Sequence, residues 1–174
     1  MKKLSKLAAD QNTLQKVFSQ LTVAGFEQVG FHDDELVVYL TDILVRFVSV
    51  EKFLLRDVNK NQVQYLVDMQ LESMRGDSVH ARIWQKHIGD FALFMVGMYP
   101  EWLERPRRPN SQEYFVLQGQ QAYASVASID RKRPTAGLFA KLSEQFKNCV
   151  HVFRMEKEYL EDPFYQYIGR QVFW

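Results

Sequence analysis

The stretch Ser78 to Met98 holds the residues best suited to chemistry. His80, Trp84, His87, Phe91, Phe94 and Met98 recur at 4-3-4-3-4 spacing, which on a helix lays two imidazoles along one stripe with three aromatic rings. Asp90 follows His87 by three positions, within side-chain reach on a helix. A carboxylate bonded to an imidazole fixes its tautomer and raises its pKa, as a general base or the outer shell of a metal site requires. Tyr39, Tyr65 and Tyr123 are the tyrosines expected to complete such a polar pocket with His80, His87 and Asp90. The commoner fate of this pattern is a half-buried histidine satisfied by a nearby carboxylate or carbonyl. Both readings stand open on the sequence.

Other candidate chemistry is weaker. His80 and His87 lie seven residues apart, roughly 10 Å along a helix axis, too far to grip one ion directly. Neither a Glu-x-x-His nor a His-x-x-x-His motif occurs, so no metal and no cofactor is expected. His32-Asp33 stands just before a helical stretch, where Asp33 is better suited to capping than to a dyad. Cys149 and His151 are two apart on a helix and face different ways, so Cys149 reads as a small buried hydrophobe beside Phe146 and Phe153. Phosphate loops, nucleophile elbows and dinucleotide fingerprints are absent from the sequence. Two basic loops, Arg105-Arg107-Arg108 and Arg131-Lys132-Arg133, sit at opposite ends of an intervening helix, and the net charge is +1. Both facts disfavour a nucleic-acid groove.

The elements that position these residues are helical. Gly 8 and Pro 5 are sparse for a chain of 174 residues, which disfavours a turn-rich sandwich or barrel. With 47% hydrophobic and 25% charged residues, the chain has a globular composition. Spacing predicts a helix over 13–24 capped by Thr13, another from Asp33 or Asp34 to 49, and a third over 60–75 with Val63, Leu66, Val67 and Leu71 inward. Gly76 and Asp77 make a tight turn into the fourth, 78–98, which Pro100 ends. Asn110 with Glu113 forms a capping box for the fifth, to 129, and the last covers 136–161. The expected fold class is therefore all-α: a single domain, 1–174, forming a bundle of about six helices. Residues 1–12 are expected to be loose, and 162–174 form an aromatic tail.

The N-terminus lacks the apolar region of a signal peptide, and the longest uncharged apolar run, 91–100, is far short of the roughly 20 residues of a membrane span. One cysteine fits a reducing compartment. A cytoplasmic location, with no membrane contact, is the expectation.

The run from Gly89 through Asp90, Ala92, Leu93, Phe94, Gly97 and Pro100 to Glu101, followed by Tyr114 and Gly119 to Tyr123, resembles a segment of uncharacterised bacterial all-helical proteins. Tyr39-Leu40 and Tyr65-Leu66 fit the same pattern, so the resemblance covers about residues 33–160. It implies a bacterial source and a helical fold, and no activity. Glycines 97 and 119 inside helices each cost about 1 kcal/mol against alanine, which points to close packing or ligand approach there.

No catalytic constellation outweighs its structural explanation, and aromatic residues at 14% exceed what a small core needs. The expected role is therefore non-enzymatic contact between proteins, as a homodimer through an apolar helix face or the tail residues Phe164, Tyr165, Tyr167, Phe173 and Trp174. The alternative is a bundle that binds or transforms a small molecule in a pocket near His87 and Asp90.

Overall fold

A computed structural model describes residues 11–47, 65–104 and 111–159. They form eight helices and no strand: α1 (Gln11–Val29), α2 (Asp34–Phe47), α3 (Leu66–Ser73), α4 (Ser78–Met98), α5 (Pro100–Leu103), α6 (Gln112–Ile129), α7 (Ala136–Glu144) and α8 (Phe146–Tyr159). The fold class is all-α. The chain groups into two compact units, one of Met1–Phe53 with His151–Trp174 and one of Leu54–Val150.

In the first unit, α1 buries Leu14, Phe18, Thr22 and Phe26 at helical spacing, and α2 buries Leu36, Val37, Leu40, Thr41, Ile43 and Leu44. The helix begins before Thr13, which therefore lies inside α1 rather than at its N-cap. It also runs through Gly25 instead of stopping there. A Cβ on Gly25 would stand 2.8 Å from Val152 Cγ1, so this glycine lets α8 approach closely. Termination falls to Gly30, whose φ of +70° suits a residue without a side chain. Asp33 caps α2, its Oδ1 accepting from the Leu36 amide at 3.1 Å. His32 bonds Asp34 instead, at 3.0 Å on the surface.

The second unit is built on α4, which packs against α3 and, antiparallel, against α6. Asp77 caps α4 as the spacing required, accepting from the His80 amide at 2.9 Å. The preceding helix differs from expectation. Leu66, Met69, Glu72 and Ser73 face inward, while Val67 and Leu71 are about half exposed. Polar bonds settle that rotation: the Glu72 carbonyl accepts from His80 Nε2 at 2.9 Å, and Ser73 Oγ accepts from Gln85 at 3.0 Å. The helix also starts at Leu66 rather than near residue 60, since Tyr65 before it is extended (φ −104°, ψ 135°); Val63 lies outside the described residues.

Pro100, which ends α4, also opens the single turn of α5 where a loop was expected, since its fixed φ suits a first helical position. Ser111 caps α6, accepting from the Tyr114 amide at 3.3 Å; Asn110, the expected cap, lies outside the described residues. The single helix expected over 136–161 is two. Gln120 and Ser143 bond reciprocally, hydroxyl to carbonyl at 2.9 Å and amide to carbonyl at 3.4 Å, and the chain turns at Gln145 between α7 and α8. The turn delivers Phe146 onto Gly119 of α6, where a Cβ would collide with the ring and meet Ala92 Cβ at 3.0 Å. Gly119→Ala is therefore expected to destabilise by about 1–2 kcal/mol, overpacking outweighing the better helix propensity of alanine. Urea unfolding checks this, and a stabilised variant contradicts it.

Candidate functional site

α4 carries two contrasting faces. On one, the expected ladder forms: ring centroids of His80 and Trp84 lie 6.3 Å apart, Trp84 and His87 6.1 Å, and His87 and Phe91 6.3 Å, and Phe91 continues to Phe115 of α6 at 6.2 Å. His87 is buried within it, and Phe94 and Met98 are buried further along. His80 is half-buried and donates from Nε2 to the Glu72 carbonyl, closing the C-terminal turn of α3. That ring nitrogen is thereby committed to structure.

On the other face, Arg82, Lys86 and Asp90 recur every fourth residue toward α6. Asp90 is 1% exposed. Its Oδ1 accepts from the Tyr123 hydroxyl at 2.8 Å and its Oδ2 from Lys86 Nζ at 2.8 Å. The adjacent glycine makes this geometry possible. A Cβ on Gly89 would fall 2.5 Å from Tyr123 Cε1, so the phenol ring lies directly over the α4 backbone with its hydroxyl beside Asp90. The structure thus brings Asp90 and Tyr123 together. It does not gather the other expected tyrosines: Tyr65 is exposed at the start of α3, and Tyr39 belongs to the first unit.

Two turns from Asp90 toward the start of α4, Arg82 grips Asp130 with two bonds of 2.7 Å, from Nε and from an Nη, onto both carboxylate oxygens. Thr135 donates to the same carboxylate at 2.7 Å, Arg133 approaches to 3.5 Å, and the Arg82 guanidinium lies 5.7 Å from the centre of the Phe139 ring. Fully enclosed, Asp130 is held below the ordinary carboxylate range, first by the Arg82 hydrogen bonds, against the upward push of burial. Arg133 of the second basic loop is thus tied to Asp130; Arg105, Arg107 and Arg108 lie outside the described residues. The sequence reading missed Asp130. A signal was present: an acidic residue ending a helix opposes the macrodipole and calls for a cation.

Burial, with a smaller contribution from Glu101, pushes the Tyr99 phenol well above its usual range, so it is a neutral donor. Cys149 is buried. Among the described residues, no group of three or more His, Cys, Asp or Glu is placed to hold a metal. A shallow depression on α1, lined by Asn12, Gln15, Lys16, Ser19 and Gln20, carries no carboxylate, imidazole or thiol. The tail residues Phe164, Tyr165, Tyr167, Phe173 and Trp174 lie outside the described residues.

Fold and site together define an all-α protein whose polar cluster on α4 is enclosed and internally bonded. No helix among the described residues is long and apolar enough to cross a membrane. No protein-family model matches the chain, nor does any curated protein or solved structure.

Proposed function

We propose that this chain is a bacterial cytoplasmic helical protein that acts without catalysis, by contact with a second copy of itself. The observation that carries this reading is an apolar stripe on the outer face of α3. Val67, Leu71 and Met74 follow one another at spacings of four and three, with 47%, 51% and 78% of their surfaces exposed. Large apolar residues aligned on one exposed face suit a partner surface more than solvent. Charge supports a second copy as that partner. Asp68 and Arg75, both exposed, flank Leu71 at opposite ends, so an antiparallel two-fold crossing at Leu71 sets each Asp68 near Arg75 of the other copy. Arg75 already bonds Glu72 and keeps a half-exposed side chain. Three apolar side chains make a small interface core, so the contact belongs at the weak, micromolar end of protein association.

The geometry of Asp90 favours a structural over a catalytic role, since both oxygens are engaged within a closed interior. Light scattering over a concentration series is the test. Wild type is expected to rise from monomer toward dimer mass through the micromolar range, and Leu71→Lys with Met74→Lys to stay monomeric with unchanged helicity. A monomer at every concentration overturns the reading, and an undiminished dimer in the double variant overturns the assignment to α3.

A further inference from the structure

The first unit encloses a carboxyl group that nothing described above employs. Glu156 on α8 is 1% exposed, and neither carboxyl oxygen has a hydrogen-bond partner among the described residues. Two other polar side chains share this interior, Thr22 of α1 at 0% and Thr41 of α2 at 3% exposure, their hydroxyls 3.4 Å apart. In this unit α1, α2 and α8 thus each contribute one buried polar group, with α8 close to α1 where Val152 meets Gly25.

The direction of the hydroxyl protons decides what Glu156 meets. Thr22 donates to the Phe18 carbonyl at 2.8 Å, and Thr41 donates to Thr22. The single proton of Thr22 is thereby engaged, and its oxygen presents a lone pair. A protonated carboxyl can donate to such an oxygen, whereas a carboxylate must compete with the Phe18 carbonyl for the one Thr22 proton, which offsets only a small part of the cost of burying its charge. We propose that Glu156 is a proton-dependent latch: protonated, it holds α8 against α1, and on ionisation it frees that part of α8 from the unit.

The surroundings agree with this assignment. Burial pushes the Glu156 carboxyl up to about 8, with a smaller opposing contribution from the Thr22 hydroxyl and none from a charged side chain among the described residues. Thr22 of α1 and Thr41 of α2 are the polar groups on the packed faces. The charged residues of the same helices lie outward: Lys16 and Glu27 on α1, Asp34, Glu35 and Asp42 on α2, and His151, Arg154 and Glu158 on α8 are exposed. Arg46 is bonded to Asp42 at 2.9 Å, and Lys157 is half-buried beside Glu156 in sequence.

The sign follows from linkage. A carboxyl whose folded pKa lies above its unfolded value gives stability that is complete below the unfolded value, near 4.5, and lost as pH rises through about 8. Thermal unfolding of the full chain from pH 5 to 9.5, compared with Glu156→Gln, reads this directly. Wild-type Tm is expected to fall by about 5 °C more than that of Glu156→Gln between pH 6 and 9. Amide exchange, corrected for its intrinsic pH dependence, is expected to lose protection over 151–159 at pH 9 while 78–98 keeps it. Parallel Tm profiles, or equal loss in both segments, overturn the latch. Should Glu156→Gln fail to fold, carboxyl carbon-13 titration of wild type decides. One glutamate with a midpoint above pH 7 supports the latch, and all midpoints below 6 refute it.

Discussion

Tyr123→Ala is expected to cost about 4 kcal/mol, and Tyr123→Phe only about 1–2. The ring is completely enclosed, stacked over Gly89 and 6.0 Å, centre to centre, from both Phe139 and Phe146. Cutting it back to a methyl group opens a cavity at the junction of α4, α6, α7 and α8, where bonded helices cannot collapse to fill it. The same cut removes one donor from Asp90 in the interior. Phenylalanine keeps the ring and deletes only that donor, while Lys86 still serves the other oxygen. Denaturant unfolding of both variants separates packing from hydrogen bonding. Equal losses would show that the bond to Asp90, rather than the ring, dominates.

Asp130→Ala is expected to lower stability by about 2–3 kcal/mol, since it strips Arg82, Thr135 and Arg133 of a shared acceptor. The figure stays below that for a fully buried ion pair because the Arg82 side chain is 21% exposed and regains some water. Arg82→Ala should cost a similar amount, leaving Asp130 enclosed with weaker partners. The carboxyl is held below its ordinary value of 3.8, so its stabilisation is present above that pH and is lost as pH falls through the lower, folded value. Between pH 5 and 3, wild type should therefore lose stability more steeply than Asp130→Asn. Parallel acid profiles would contradict the role assigned to the pair.

Much of this arrangement can be read from spacing. The 4-3-4-3-4 pattern of α4 identifies its buried stripe, Asp77 and Asp33 mark two helix starts, and Gly119 marks a close approach. Glu156 was legible too, because Leu142, Phe146, Cys149, Phe153 and Glu156 continue one 4-3-4-3 stripe that places a carboxyl in the core. Other features were not. The rotation of α3, which turns Val67 and Leu71 outward, depends on His80 and Gln85 bonding its last turn from another helix. The division at Gln145 depends on Gln120, and the choice of Tyr123 over Tyr39 and Tyr65 as partner of Asp90 depends on which helix lies over Gly89.

Local spacing settled the helical class, several helix ends and the aromatic stripe of α4, because those follow from interactions within four residues along the chain. Packing between helices set the partners of Asp90, Asp130 and His80, the outward face of α3, the complete burial of the second half of α4 and the enclosure of Glu156. Those depend on groups brought together from different helices, whose meeting no local periodicity encodes.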